Sequence, residues 1–190
     1  NSLVEHYQNG LFVEAEKLAI SLTKEYPKHQ FGWKILGVLY GQSGRNSEAK
    51  NVNQTAISLS PQDAEAHNNL GSALNDLGRL NEAEDSYIRA IALKPDYAQA
   101  HSNLGKTLRE LGRLEEAEVS YVKAIALKPD YAEAHSNLGN TLKELGRLNE
   151  SEASYTQAIL LKPDYAEAML NLSIAQGYMN DVEAEIVSLQ

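Results

Sequence analysis

The prolines of this chain fall on one regular spacing. All five recur every 34 residues, at Pro27, Pro61, Pro95, Pro129 and Pro163. Glycine keeps the same step in a second series, at Gly10, Gly44, Gly78, Gly112 and Gly146. A fixed period of about 20 to 50 residues indicates a repeat protein, in which one small structural unit is copied along the chain. Whatever fold the chain adopts must therefore be built from stacked copies of one unit.

One period carries the pattern of two helices. In residues 64–97, two stretches place apolar residues at helical spacing, one on each side of Gly78. Glycine at that point suits the left-handed residue that ends a helix, and Pro95 stops the second helix because it cannot continue one. The sequence therefore predicts a hairpin of two helices in each unit.

Neither helix of such a hairpin is long enough to be stable alone, so each hairpin must bury its faces against its neighbours. We expect Gly71 and Ala83 to let two helices approach closely, with Tyr87 filling the space beside them. The last unit departs from the pattern, since Asn180 replaces the turn glycine and no proline follows. The predicted units are 1–29 (lacking most of its first helix), 30–63, 64–97, 98–131, 132–165 and 166–190 (irregular).

These positions together resemble the tetratricopeptide repeat (TPR). The matching residues of one unit are His67, Leu70, Gly71, Gly78, Ala83, Tyr87, Ala90 and Pro95. Histidine stands where the family usually has tryptophan, and Trp33 occupies that place in the preceding unit. The resemblance covers essentially the whole chain. It implies an all-α fold, a right-handed α–α superhelix whose first helices line a concave face and whose second helices line the convex face.

Composition narrows the class of partner. The formal net charge is −9, and an acidic surface repels phosphate backbones and anionic lipids, so we expect neither nucleic acid nor membrane as a partner. No apolar run approaches the ~20 residues that a membrane span needs. The chain has no cysteine, which excludes disulfides and fits a reducing compartment. We therefore expect a cytoplasmic protein.

No group of residues indicates catalysis, a cofactor or a metal. The glycines are used in turns and close contacts, and the carboxylates of the second helices are typical of a solvated face. His67, His101 and His135 lie a full unit apart in the position of the family's tryptophan, so we interpret them as packing residues rather than metal ligands. We expect this part of the protein not to be an enzyme and to need no cofactor.

One polar series is not needed for packing. It is the asparagine ladder, made up of Asn69, Asn103, Asn137 and Asn171, and each member comes directly before a core leucine. An amide both donates and accepts hydrogen bonds, so such a row can hold an extended peptide by its backbone. The alternative is that the asparagines have no function and recur only because the units arose by duplication, which copies residues whether or not they are useful. The sequence predicts a scaffold that binds a partner protein or peptide in its concave groove.

Groove residues that differ between units are expected to choose the partner. They are Ser72, Lys106, Asn140, Asn75, Arg109 and Lys143. The amino-acid sequence of the repeats is similar to that of the superhelical repeats of O-linked N-acetylglucosamine transferases. In that family such asparagines line the groove and hold substrate chains. This resemblance leaves a second hypothesis, the substrate-selecting arm of a larger transferase, and a third is a module that assembles with its own copies.

Apolar residues at groove-facing spacings mark both ends of the array. They are Phe31, Ile35 and Val38 in unit 30–63, and Leu170, Ile174 and Tyr178 in unit 166–190. Exposed apolar patches usually mark interfaces. We predict that at least one end contacts a partner, another domain or a second copy, unless the next repeat normally covers these residues.

Overall fold

The computed structural model describes residues 2–188, and the surroundings of side chains from residue 3 to residue 178. Over that range the chain forms eleven α-helices and no β-strand, so the predicted all-α class is confirmed. The helices are α1 (Ser2–Gln8), α2 (Phe12–Glu25), α3 (Gln30–Gln42), α4 (Asn46–Leu59), α5 (Ala64–Asp76), α6 (Leu80–Leu93), α7 (Ala98–Glu110), α8 (Leu114–Leu127), α9 (Ala132–Glu144), α10 (Leu148–Leu161) and α11 (Ala166–Ser188). The chain divides into two compact units, residues 1–95 and residues 96–190.

Successive helices pair as hairpins joined by tight turns, as the periodicity predicts. Each turn contains a glycine with positive φ, and Gly78 has a φ of +72°. A side chain is rarely tolerated in this left-handed conformation, which explains the regular glycine at this point of each period. The same conformation occurs at Gly10, Gly44, Gly112 and Gly146.

Small and aromatic residues form the core of each hairpin. Ala83 and Ala117 of the second helices are fully buried, as is Tyr121. The ring of Tyr87 lies against Gly71, where an added Cβ would come within 2.7 Å of the ring. The predicted close contact between a glycine and a tyrosine is therefore present, and it recurs as Tyr121 on Gly105 and Tyr155 on Gly139.

Asn53 takes the place of this tyrosine in unit 30–63. Its side chain is fully buried and lies against Gly37, where an added Cβ would be 2.8 Å from its Cγ. Neither amide atom of Asn53 has a hydrogen-bond partner among the described residues. A buried unpaired amide is costly, so Asn53 destabilises this hairpin.

Ion pairs join the second helix of one hairpin to the turn of the next. In the first compact unit, Arg45 donates to both carboxylate oxygens of Glu16, at 2.9 and 2.5 Å. In the second, Arg147 Nη1 donates to Glu118 Oε2 at 2.6 Å. These side chains are partly exposed, so each pair stabilises the stacking only modestly.

The last repeat is one helix, not a hairpin. Helix α11 runs without interruption from Ala166 to Ser188, through Asn180, where the sequence pattern places a turn. Asparagine adopts the left-handed conformation less readily than the glycine that ends the earlier first helices, and here the helix continues. The irregular unit 166–190 thus has no second helix over the described residues.

Candidate functional site

The asparagine ladder lies on the first helices of three hairpins, α5, α7 and α9, and on α11. Asn69, on α5, belongs to the first compact unit, while Asn103, Asn137 and Asn171 belong to the second. All four are half-buried. The side chains of Asn69, Asn137 and Asn171 form no hydrogen bond with the described residues, whereas Asn103 takes part in a further interaction. Three of the four amides therefore have donors and acceptors that the described residues do not use.

Asn69 opens onto a cleft between α3 and α5. This α3–α5 cleft has a volume of about 160 Å³. Its lining includes Gly37, Val38 and Gly41 from α3, and Asn69, Ser72 and Asp76 from α5. Gly41 leaves the backbone of α3 bare on this side, since a Cβ added there would meet nothing within 4 Å, and the polar groups come from α5. The cleft gives Asn69 a recessed setting in which a bound chain would be partly shielded from water.

A charged cluster holds the beginning of α5 against α3. Lys34 Nζ lies 3.0 Å from the carboxylate of Asp63 and 2.6 Å from that of Glu65. Asp63 also caps α5, because its Oδ1 accepts the backbone N–H groups of Glu65 and Ala66. Burial alone would raise the pKa of Asp63, but hydrogen bonds from Lys34 and from the Ala66 N–H hold this pKa below its usual value.

The predicted partner-selecting residues fall into two groups. Lys106 is exposed, and Arg109 and Lys143 are half-buried, so each has surface to offer a ligand. Asn75 and Asn140 are instead buried, and Asn140 Oδ1 accepts a hydrogen bond from Tyr155 at 2.7 Å. These two have little surface for a partner, because they are buried.

Ser72 is intermediate between the exposed and the buried group. It is half-buried and lines the α3–α5 cleft, and its Oγ accepts a hydrogen bond from Tyr87 at 3.2 Å. The hydroxyl of the core tyrosine thus reaches the variable position of the first helix, a contact that periodicity alone does not reveal. Tyr155 makes the equivalent bond to Asn140, one residue after the predicted close-contact glycine.

The apolar residues predicted at the first end differ in their surroundings. Phe31 is exposed and borders a cleft of about 510 Å³ that Leu18 and Tyr26 also line. Ile35 instead packs on the core of this unit, and Val38 lies in the α3–α5 cleft. Only Phe31 of the three thus presents a large exposed apolar surface.

The three residues on α11 are all exposed. The exposed fractions are 62% for Leu170, 40% for Ile174 and 56% for Tyr178. Ile174 and Tyr178 border a cleft of about 620 Å³ next to Lys143. Since α11 is not followed by a second helix over the described residues, this face has no cover of the kind that protects the earlier first helices.

The histidines in the tryptophan position support the turn before their helix. His67 Nε2 lies 3.1 Å from the carbonyl oxygen of Pro61, and His135 Nε2 lies 3.1 Å from that of Pro129. Trp33 Nε1 donates to the carbonyl of Pro27 in the same way, at 3.0 Å. The ring nitrogen is the group that histidine and tryptophan share, which explains why either serves in this position.

Among the described residues, no helix has both the length and the apolar character to cross a membrane. Over the same residues, no three histidine or carboxylate side chains lie together as a metal site requires.

Comparison with solved structures identifies similar folds. MamA is 26% identical, with a TM-score of 0.74 over 88% of this chain and 98% of that chain. TTC0263, a thermophilic TPR protein in Thermus thermophilus, is 25% identical, with a TM-score of 0.77 over 92% and 95%. YrrB, described as a TPR protein with an unusual peptide-binding site, is 20% identical, with a TM-score of 0.69 over 88% and 86%.

Family models agree with the repeat pattern. A search of curated proteins found no match. Models described as the TPR or tetratricopeptide repeat match residues 34–63, 53–85, 71–108, 105–146 and 132–165. Together they cover residues 34–165, well over half of the chain, and a fold of this family is consistent with a protein-interaction scaffold. The chain therefore belongs to the tetratricopeptide-repeat proteins.

Proposed function

We propose that this protein binds an extended segment of a partner polypeptide through the asparagine ladder. The side-chain amides of Asn69, Asn137 and Asn171 carry the proposal, because they are unpaired among the described residues. They are half-buried on the first helices and form no side-chain hydrogen bond with the described residues. Asn140, by contrast, is buried, and its Oδ1 accepts a hydrogen bond from the hydroxyl of Tyr155. Asn69, Asn137 and Asn171 thus keep hydrogen-bonding capacity that packing against the described residues does not use.

Main-chain binding suits an amide. A side-chain amide can accept from a peptide N–H and donate to a peptide C=O, so it holds an extended chain without reading its side chains. A preformed helical surface also lowers the ordering cost of binding. YrrB shows that the same fold can carry a peptide-binding site. Lys106, Arg109 and Lys143 would then select among partners, because they are exposed or half-buried and differ between units.

The test compares ladder variants with matched controls. Peptides selected by display on the wild-type protein are labelled, and their affinities are measured by fluorescence polarisation. The variant with all four ladder asparagines changed to alanine should lose about 0.5–1.5 kcal/mol of binding free energy per amide used. The loss should be similar for peptides of unrelated sequence. Far-ultraviolet circular dichroism should not fall, since alanine is the better helix former.

Asparagines on second helices provide the control. Asn81 of α6 and Asn149 of α10 are exposed, and their change to alanine should leave the affinities unchanged. Full-strength binding by the ladder variant would show that the ladder is a product of duplication. Sedimentation over a range of concentrations tests self-assembly, and the gene sequence beyond Gln190 tests the alternative of a transferase arm.

A further inference from the structure

Side chains 35 positions apart meet between the first helices of successive units. At the contact of α1 with α3, Gln42 Nε2 donates to the hydroxyl of Tyr7 at 2.9 Å. At the contact of α7 with α9, Arg109 Nη1 lies 3.3 Å from Glu144 Oε1. In both contacts the residue on the later helix is bonded to a long side chain from the earlier one.

The contact of α3 with α5 lacks that long side chain. Gly41 stands two periods before Arg109, and Asp76 stands two periods before Glu144. A Cβ added at Gly41 would meet nothing within 4 Å. Asp76 is exposed and forms no ion pair or hydrogen bond with the described residues. Gly41 and Asp76 both line the α3–α5 cleft, which therefore lies at the repeat position that Arg109 and Glu144 take between α7 and α9.

We infer that the α3–α5 cleft binds an arginine side chain of the partner polypeptide, with its guanidinium on the carboxylate of Asp76. The inference rests on the proposed function, since it supplies one side-chain contact to the peptide that the ladder holds. The pair of Arg109 and Glu144 is the template, because the same fold places a guanidinium beside a carboxylate at the equivalent contact. The aliphatic part of the arginine lies over Gly37 and Val38.

Size and charge both favour this occupant. The volume of about 160 Å³ is well below the ~300–1,000 Å³ of pockets for small-molecule ligands, so the cleft suits one side chain. Lys34 of α3 is paired with Asp63 and Glu65 at the start of α5, whereas Asp76 ends that helix, so Lys34 does not neutralise Asp76. The chain as a whole carries a net charge of −9, which attracts a basic segment. A guanidinium pairs with a carboxylate through two parallel hydrogen bonds, which favours arginine over lysine.

The position of Asn69 connects this contact with the ladder. Asn69 lines the same cleft from α5. A peptide held by the Asn69 amide therefore has its backbone at the mouth of the cleft, where one of its side chains can enter. The cleft would then fix the register of a chain that the ladder alone holds without regard to sequence.

The test uses two peptides that differ in one charge. The probes are acetyl-Ala-Ala-Arg-Ala-Ala-amide and the same peptide with citrulline, which keeps the shape of arginine but is neutral. Binding is followed by nuclear magnetic resonance, through the backbone amide signals of Gly37 and Gly41. The arginine peptide should shift these signals in a saturable way, and the citrulline peptide should bind about tenfold more weakly. Added salt should reduce the difference.

Three variants make the experiment decisive. Asp76→Asn should reduce binding of the arginine peptide to the level of the citrulline peptide, and Gly41→Arg should block the cleft with an internal pair to Asp76. Asp85→Asn, on the exposed face of α6, is the matched control and should bind as the wild type does. Equal binding of the two peptides, no binding of either, or full binding by Asp76→Asn would overturn the inference.

The outcome separates this inference from the proposed function. If ladder variants weaken displayed peptides while arginine and citrulline bind equally, peptide binding stands and the arginine contact is wrong. If Asp76→Asn abolishes the arginine preference while ladder variants bind every peptide at full strength, the cleft stands and the ladder is wrong.

Discussion

Two buried tyrosines in the second compact unit differ in one hydrogen bond. The hydroxyl of Tyr155 donates to Asn140 Oδ1 at 2.7 Å, and both residues are buried. The hydroxyl of Tyr121 is buried without a partner among the described residues, and burial raises its pKa. Changing each tyrosine to phenylalanine removes the same atom from the same kind of site. The difference between the two variants therefore isolates the hydrogen bond.

We expect Tyr155→Phe to cost about 2 kcal/mol. It loses a hydrogen bond worth about 1 kcal/mol and leaves the buried Asn140 oxygen unpaired, at about 1 kcal/mol or more. Tyr121→Phe should be neutral or stabilise by up to about 1 kcal/mol, because an unpaired hydroxyl leaves the core. In urea, with a slope of about 2 kcal/mol per molar, Tyr155→Phe should lower the midpoint by about 1 M.

The measurement is urea unfolding followed by far-ultraviolet circular dichroism. Tyr178→Phe is the control, because Tyr178 is exposed and its hydroxyl is solvated, so the midpoint should stay unchanged. A double-mutant cycle of Tyr155→Phe with Asn140→Ala should show coupling of about 1 kcal/mol. Equal losses for the variants at positions 121 and 155 would refute the reasoning.

Two further predictions concern unit 30–63 and its contact with α5. Asn53→Tyr should raise the free energy of unfolding by about 1–3 kcal/mol, because it buries a ring on Gly37 and removes two unpaired amide atoms. An unchanged or lower urea midpoint would show that the site has no room for the ring. Asp63→Asn should cost about 1 kcal/mol at pH 7, because Lys34 loses one of its two carboxylate partners. The folded-state pKa of Asp63 is lowered, so its contribution is present above the unfolded pKa of about 3.9 and is lost as the pH falls through the folded pKa. Unfolding curves of both proteins from pH 7 to about pH 2 should therefore converge at the acid end, and a constant difference would contradict this.

Periodicity predicts the features that repeat. It locates the helical hairpins, the left-handed glycines and the packing of tyrosine on glycine, because each follows from local propensity or from a residue kept at one step. It also predicts that the histidines act in packing. Asn53 shows the limit, since the sequence reveals the substitution but not that both amide atoms are buried without a partner.

Contacts between hairpins are harder to predict. Asn137 and Asn140 are both first-helix asparagines, yet one keeps its amide free and the other is covered by α10 and bonded to Tyr155. The outcome depends on how far the tyrosine reaches across the hairpin, which the period does not give. The absence of a long side chain opposite Asp76 is also visible only once the packing shows that residues 41 and 76 are neighbours.

The single tryptophan of the chain gives the array a built-in local reporter. Trp33 lies in unit 30–63, half-buried, with its indole nitrogen bonded to the carbonyl of Pro27. Its fluorescence therefore follows the opening of that region, whereas circular dichroism averages over all the helices. Stability in a stacked array is a sum of local terms, so the two signals need not change together. Because Asn53 weakens the same hairpin, the fluorescence of the wild-type protein should change at a lower urea concentration than the circular dichroism. An equilibrium titration followed by both signals would then show where in the array unfolding begins.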